Sequence, residues 1–180
     1  METFGLVCHP DHPPVAVRSV DARISAIDND WVRLRWRIDG SDRLVVPRFA
    51  GKGRADGLWQ TTCFELLLRP AATDHYVELN LSPSERWAAY DFTGYRAGMS
   101  QRSVPREPDC TMRAGRTSAI FDSAVPRPAL PQLPWTYGLC AVIEEEGGVK
   151  SYWAIEHPPG KPDFHDPACF AATLAAPADQ

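Results

Sequence analysis

Two carboxyl groups and an amide on adjacent predicted strands are the side chains best suited to chemistry: Glu65, Glu78 and Asn80. Such groups exchange hydrogen bonds with the hydroxyls of a polar ligand, and negative charge strengthens those bonds. A hairpin loop of roughly four residues places Glu65 opposite Glu78 and Asn80 opposite Cys63. Because carboxylates directly across a ladder repel each other, this register predicts compensation by an arginine, a shared proton, a metal ion or a polar ligand.

Two other interpretations of the acidic pair stay open at this point. The first is a structural ion-pair network on a solvated sheet face, with arginines as the partners: Arg35, Arg37, Arg54 or Arg96. The second is glycoside hydrolysis, since two carboxylates about 5 Å apart have the separation of a retaining glycosidase. Two acids on one hairpin do not define a sugar-binding cleft, so the pattern favours binding without catalysis.

Flat aromatic side chains flank the polar row and could stack on sugar rings: Trp59, Trp87 and Tyr95. An apolar face with a polar rim suits such ligands. Large aromatics in a β-sandwich also fill the core, so we expect one of the two tryptophans to be buried and the other to contact the ligand. Arg54 and Arg96 are expected to balance the charge of the acids.

Three predicted strands position these side chains, at about 58–68, 75–82 and 86–92. Alternation with a period of two puts the apolar residues of the first two strands on one face. These are Phe64, Leu66, Leu68, Val77, Leu79 and Leu81. The two acids and Asn80 then share the reverse face, and the segments PAATD and SPSE supply the turns.

The rest of the chain also reads as short strands joined by turns. They lie near residues 6–8, 15–27, 31–38, 43–47, 110–115, 116–125, 137–143, 149–155 and 169–175, and residues 176–180 are expected to fray. Many strands and no convincing amphipathic helix are typical of an antiparallel sandwich or barrel. The sequence therefore predicts an all-β fold, an antiparallel β-sandwich of jelly-roll or immunoglobulin-like type, as a single domain over residues 1–180.

Composition argues against several classes of partner. The 180 residues are 44% hydrophobic and 23% charged, which is ordinary for a globular protein. A net charge of −4 offers no basic footprint for nucleic acid, and no run of 18 apolar residues suggests a membrane span. The first residues lack the pattern of a signal peptide, and five widely spaced cysteines predict no disulfide framework. We therefore expect a cytoplasmic protein without nucleic-acid or membrane partners.

The central block, RADGLWQTTCFELLL followed by YVELNLSPSERWAAYDFTGYRAGM, resembles a bacterial DOMON-like domain. That family is related to the family-nine carbohydrate-binding modules, which are jelly-roll β-sandwiches that bind sugars. In the sugar-binding relatives an aromatic, an acidic residue and an asparagine line the ligand face. By resemblance those roles fall on Trp59 or Trp87, on Glu65 or Glu78, and on Asn80. The resemblance implies a non-catalytic domain that binds a saccharide or a similar small polar ligand.

Cofactors are not expected from the residue spacing. Other DOMON domains bind haem through axial Met and His ligands, for which Met99 and His157 are the nearest candidates here. The loop containing His157, Asp163 and His165 lacks tetrahedral metal-site spacing, and no acidic calcium loop is present. A haem-linked domain and a protein-interaction module with exposed aromatics remain as alternative functions.

Overall fold

Two β-sheets packed face to face make up the protein in the computed structural model, which describes residues 1–176. Residues 177–180, which belong to the tail expected to fray, lie outside the described residues. All strand pairs are antiparallel apart from one short parallel pair at a sheet edge. The predicted antiparallel β-sandwich is therefore confirmed.

Fourteen strands and three single-turn 3₁₀ helices form this structure. The strands are β1 (Phe4–Gly5), β2 (Val7–Cys8), β3 (Ser19–Ile27), β4 (Trp31–Asp39), β5 (Gly53–Arg54), β6 (Cys63–Pro70), β7 (Tyr76–Leu81), β8 (Arg86–Phe92), β9 (Ser100–Gln101), β10 (Asp109–Ala114), β11 (Ser118–Pro126), β12 (Trp135–Glu145), β13 (Val149–Ala154) and β14 (Ala172–Leu174). The 3₁₀ helices are Leu58–Gln60, Arg127–Ala129 and Pro167–Cys169.

The smaller sheet has the strand order β1-β3-β4-β11-β10. The larger sheet has the order β2-β13-β12-β6-β7-β8-β5, with β14 also paired to β12 and β9 paired to β8. The centre of the larger sheet is thus β6 and β7, the two strands that carry the polar row. Among the described residues no helix is long and apolar enough to cross a membrane.

The core fills the space between the two sheets, as the period-two pattern predicts. On β4 the inward residues Val32, Leu34, Trp36 and Ile38 are at most 1% exposed. Across the interface the ring of Phe64 on β6 stacks on Phe121 of β11, with 4.2 Å between the ring centroids. Burial of this apolar surface is the main force that holds the sheets together.

The β6–β7 hairpin has the predicted faces but a different register. Glu65 pairs with Asn80, not with Glu78, and Phe64 pairs with Leu81. The ladder ends at the pair Leu68 and Val77, and each β6 residue has its partner two positions further along β7 than we predicted. Because side chains alternate with a period of two, a two-residue shift keeps every side chain on its face. The predicted direct opposition of Glu65 and Glu78 is therefore wrong, whereas their common face is confirmed.

Two predicted strand segments are not strands. Residues 43–47 make only one isolated bridge, between Leu44 and Glu145. Pro47 ends this segment and has no N–H group to donate to a ladder. The first strand of the central block begins at Cys63, because residues 58–60 form a 3₁₀ helix after Gly57, whose φ is +70°.

The outer face of the larger sheet is not open to solvent along its whole length, because the chain after β13 crosses it. A second apolar cluster joins Leu67 and Val142 of the sheet to Phe164 and Phe170 of this crossing segment. The approach is close at Gly138 on β12, where a Cβ atom would lie 2.4 Å from the carbonyl oxygen of Cys169. The crossing segment, residues 155–171, therefore forms a roof over part of the polar face.

Candidate functional site

A pocket of about 1030 Å³ lies between the outer face of the larger sheet and the loops that cover it. Its floor is the polar face of β6 and β7, and its walls come from β8 and β13. Its rim comes from residues 56–59, from residues 96–101 and from the roof segment. The volume is at the upper end of the range for small-molecule sites.

The floor of the pocket holds the three predicted polar residues. Glu65, Glu78 and Asn80 are 3%, 6% and 2% exposed, so they are buried beneath the pocket. Asn80 Nδ2 donates a hydrogen bond of 2.9 Å to Glu78 Oε1. Asn80 Oδ1 is enclosed and has no hydrogen-bond partner among the described residues. The structure thus brings together the predicted row, with the amide between the two acids.

A chain of polar groups leads from Glu78 to the roof. His165 Nε2 lies 3.7 Å from Glu78 Oε2, and His165 Nδ1 lies 2.7 Å from the hydroxyl of Tyr76. The backbone N–H of Arg96 donates to that hydroxyl at 3.2 Å. The tyrosine hydroxyl can both accept from Arg96 and exchange a hydrogen bond with Nδ1, so it connects the backbone at Arg96 to the imidazole ring.

Burial changes the protonation of the floor. Burial, followed by the nearby charge of Glu78, raises the pKa of Glu65 well above its ordinary value. Burial likewise raises the pKa of Glu78, against the opposing effects of Asn80 and Arg96. Burial, followed by the charge of Arg96, lowers the pKa of His165 to about 4. His165 is therefore neutral at pH 7, and its contact with Glu78 is not an ion pair.

Arg96 is the predicted charge-balancing residue that the structure places at the pocket. Its guanidinium binds Asp163 of the roof, with 2.7 Å between Nη2 and Oδ1. Tyr95 donates its hydroxyl hydrogen to the same carboxylate but does not line the pocket. Hydrogen bonds from Arg96 and Tyr95 hold the pKa of Asp163 below its ordinary value despite its burial. The charge of Arg96 is therefore neutralised mainly by Asp163 of the roof segment.

Aromatic side chains form the walls and one edge of the mouth. Trp59, in the 3₁₀ helix before β6, is 53% exposed and lines the pocket. Tyr90 and Phe92 of β8 form a wall, and the hydroxyl of Tyr90 donates to Asp56. Tyr152 of β13 completes the lining on the other side. An exposed tryptophan above a polar floor is suited to stacking on a ring whose hydroxyls reach the floor.

Two predicted site residues lie elsewhere. Trp87 is 6% exposed and belongs to the core between the sheets. The guanidinium of Arg54 lies 4.7 Å from the centre of the Trp87 ring and donates to the carbonyl oxygen of Ala89 at 2.9 Å. The pair therefore closes the sheet edge at β5 and β8. Of the two tryptophans one is indeed buried, and the other, Trp59, is exposed.

The arginines proposed for a network with the acids do not reach them. Arg35 binds Asp122, and Arg37 binds Asp39, on the outer face of the smaller sheet. The core separates that face from the pocket. The structural ion-pair interpretation thus lacks partners for Glu65 and Glu78 apart from the more distant charge of Arg96.

Several pocket residues were missed in the sequence. Tyr90 and Phe92 had a signal: they alternate on β8 and pair with Glu78 and Tyr76 on β7. Applying the period-two alternation to β8 as well as to β6 and β7 would have placed both residues on the polar face. Phe164 and His165 had no such signal, because the roof crosses the sheet through contacts distant in sequence.

The two residues considered as haem ligands are not both at the pocket. His157 Nε2 is 2.9 Å from the carbonyl oxygen of Val7, so it carries the proton and is not free to bind iron. Met99 lines the pocket, whereas His157 does not. Within residues 1–176 no group of three or more His, Cys, Asp or Glu side chains is arranged to hold a metal ion. We derive no step through haem or calcium.

Fold and pocket together define the class: an antiparallel β-sandwich whose larger sheet carries, on its outer face, a pocket with a polar floor and aromatic walls. No protein-family model and no curated protein sequence matches the chain. The structure is similar to that of a proposed carbohydrate-binding protein from Bacteroides uniformis, with a TM-score of 0.65 and 18% identity, over 97% of this chain and 85% of that one.

A second similar structure is a family 9 carbohydrate-binding module from Caldicellulosiruptor kristjanssonii in complex with glucose. Its TM-score is 0.49 at 7% identity, over 82% of this chain and 71% of that one. The likeness to the Bacteroides uniformis protein establishes a shared fold. The resemblance to DOMON-like domains stays a prediction.

Proposed function

We propose that this protein binds a saccharide, without catalysis, in the pocket on the outer face of the larger sheet. The observation that carries the proposal is the placement of an exposed tryptophan, Trp59, at the mouth of a pocket whose buried floor is Glu65, Glu78 and Asn80. Sugars present apolar ring faces and peripheral hydroxyls, and this arrangement offers a partner for each.

The shared fold supports the same proposal. The carbohydrate-binding role proposed for the Bacteroides uniformis protein agrees with a sugar ligand for this chain. The pocket is larger than a single hexose needs, so a ligand of two sugar units also fits its volume of about 1030 Å³.

Calorimetric titration with mono- and oligosaccharides tests the proposal. A ligand present at 100 times its dissociation constant stabilises the protein by about 2.7 kcal/mol, which a thermal-shift screen detects first. Trp59→Ala should then weaken binding of the ligand found by at least tenfold, or about 1.4 kcal/mol. Phe49→Ala is the matched control, since Phe49 is an exposed aromatic (71%) that does not line the pocket. Equal losses in both variants, or no saccharide ligand at all, would overturn the proposal.

Glycoside hydrolysis is the second candidate, favoured by one observation: two buried carboxyls with raised pKa values share the pocket floor. Both acids come from adjacent central strands and lie on the same side of a bound sugar, whereas hydrolysis needs acids that flank the scissile bond. Incubation with chromogenic glycosides distinguishes the two functions. Turnover that Glu65→Gln abolishes would establish hydrolysis in place of binding alone.

A further inference from the structure

The pocket floor has more hydrogen-bond acceptors than the protein supplies donors for. Among residues 1–176 no hydrogen-bond donor contacts the Glu65 carboxyl, and Asn80 Oδ1 is enclosed without a partner. Glu78 Oε1 accepts from Asn80, whereas its Oε2 is 3.7 Å from His165, beyond hydrogen-bond distance. Buried acceptors are normally satisfied. Asn80 Oδ1 is too enclosed for a ligand to reach, so the acceptors left for a ligand's donors are those of the two carboxyls that line the pocket.

The floor also lacks a cation of its own. Arg96 is bound to Asp163. His165 is partly buried and neutral at pH 7, since its pKa is lowered to about 4. Lys161 lines the rim and is exposed, and the other titratable side chain of the lining that can carry positive charge is His12. The third acid of the lining, Asp56, accepts from Tyr90 and adds to the negative side. Two buried carboxyls without a cation are compensated either by a proton or by a positively charged ligand.

We propose that the preferred ligand is an amino sugar whose protonated amine sits on the floor between Glu65 and Glu78. This inference rests on the proposed saccharide-binding function and specifies its ligand class. An ammonium group brings three N–H donors and a full positive charge to one point, whereas a hydroxyl brings one donor and no charge. The aromatic walls at Tyr90 and Phe92 also suit a cation, because aromatic faces carry negative charge density.

Binding of such a ligand displaces a proton. In the free protein, burial of Glu65 and Glu78 and the repulsion between them favour the protonated state of this pair. The nearby thiols of Cys63 and Cys140 are buried and have raised pKa values, so they add no charge. The ammonium takes over the role of that proton, so the proton leaves to solvent as the ligand enters. Affinity for the amino sugar therefore rises with pH, as long as the ligand amine itself stays protonated, and affinity for a neutral sugar does not.

Titration calorimetry with three matched probes tests this inference on the full chain: glucosamine, glucose and N-acetylglucosamine. We expect glucosamine to bind at least tenfold more tightly than the other two at pH 7.0, and more weakly at pH 5.5. Repeating the titration in two buffers of different ionisation enthalpy should show proton release with glucosamine alone. Equal or tighter binding of glucose or N-acetylglucosamine overturns the amino-sugar inference and leaves saccharide binding intact. If none of the three binds and the wider saccharide panel is also silent, the proposed function fails.

A fourth probe separates recognition of the sugar from recognition of the amine. Ethanolamine carries the ammonium group without a ring, and we expect it to bind at least tenfold more weakly than glucosamine. Equal affinity would overturn the sugar part of the inference.

Variants of the floor complete the test. Glu78→Gln and Glu65→Gln keep the side-chain shape, and each should weaken glucosamine binding at least tenfold and abolish proton release. Glu146→Gln, on the exposed turn after β12, is the control and should change neither. Wild-type affinity in both floor variants overturns the inference. If either floor variant fails to fold, Lys161→Gln decides: removal of this rim cation should tighten glucosamine binding, and a loss of affinity contradicts the inference.

Discussion

Glu65 and Asn80 face each other across the β6–β7 ladder, and the amide of Asn80 donates to Glu78 Oε1 on its own strand. The amide thus stands between two buried carboxyls that a register two residues shorter would have put directly opposite each other. This arrangement lessens their repulsion without satisfying either acid fully. The floor residues are therefore compatible with a stable fold but still lack hydrogen-bond partners, which is typical of a binding site.

Glu65→Gln should make the protein more stable at neutral pH. The pKa of Glu65 is raised in the folded protein, so ionisation is easier in the unfolded chain, and wild-type stability falls as pH rises from about 4.5 through the folded pKa. A glutamine does not ionise and escapes this loss. Urea denaturation at pH 4.0 and pH 7.5 should show a difference between variant and wild type at pH 7.5 that shrinks at pH 4.0. A variant that is less stable at pH 7.5 would contradict the assignment of Glu65 as a buried, protonated acid.

His165→Gln should remove a pH dependence of the opposite sign. The pKa of His165 is about 4 in the folded protein against 6.5 as its ordinary value, so the wild type loses stability as pH falls from 6.5 to 4. At about 1.4 kcal/mol per pKa unit, this loss is roughly 3 kcal/mol. Denaturation curves across this range should show a flatter profile for the variant. His75→Gln, at an exposed loop position, should change stability by less than about 0.5 kcal/mol throughout.

Glu145→Ala should destabilise the fold strongly. The Glu145 carboxylate is fully buried and accepts hydrogen bonds from three consecutive backbone N–H groups, those of Val15, Ala16 and Val17, at 2.6, 2.6 and 3.1 Å. Alanine removes the acceptor of all three donors, and that of Val17 is buried, which costs on the order of 3 kcal/mol. Thermal and chemical denaturation measure the effect. The neighbouring Glu146→Ala, on the exposed turn, should stay within about 0.5 kcal/mol of the wild type.

Arg54→Lys should weaken the fold and leave ligand binding unchanged. Lysine loses the stacking on Trp87 and the guanidinium hydrogen bonds to the sheet edge, a cost of roughly 1–2 kcal/mol. Because Arg54 does not line the pocket, the dissociation constant of the saccharide found in the screen should not change. If the Arg54→Lys variant bound the saccharide tenfold more weakly at unchanged stability, Arg54 would have to be assigned to the binding site, as the sequence pattern predicted.

Gly138→Ala should loosen the roof. The added Cβ would lie 2.4 Å from the carbonyl oxygen of Cys169, and backbone atoms on both sides leave no side chain that can move aside. We expect the free energy of unfolding to fall by about 1–3 kcal/mol. Ligand binding should also weaken, because Cys169 belongs to the roof segment that covers the pocket. Gly94→Ala is the control, because nothing lies within 4 Å of its added Cβ. Equal behaviour of the two variants would show that the roof position does not depend on Gly138.

The sequence predicted the two faces of the central strands because alternation with a period of two is a local property. Phe64 and Glu65 are neighbours in sequence, and their opposite burial environments follow from the strand alone. The register was not local in this sense. It depended on how the turn folds, and the assumed loop of roughly four residues did not reveal that Ala72, between the two strands, adopts a positive φ of 59°.

Of the eight predicted site residues, five lie at the candidate pocket. Glu65, Glu78, Asn80, Trp59 and Arg96 do line one pocket. Trp87 could not be assigned to a face from the sequence, because its face depended on the length of the turn before β8. Arg54 packs on Trp87 and for that reason does not line the pocket either. Nothing in the sequence near His165 indicates that it packs on Tyr76, because 89 positions separate the two residues.

The floor of the pocket comes from paired strands, whereas its roof comes from a loop, and this difference affects which part of the site can change ligand preference. Glu65 and Asn80 sit in the central hydrogen-bonded pair of the larger sheet, where an insertion would shift a whole strand, so the floor changes only by substitution. Residues 155–166 contain no strand or helix, and loops accept changes of length more readily than strands do. We therefore expect changes in the roof to alter the size of ligand that the pocket admits while leaving the chemistry of the floor the same.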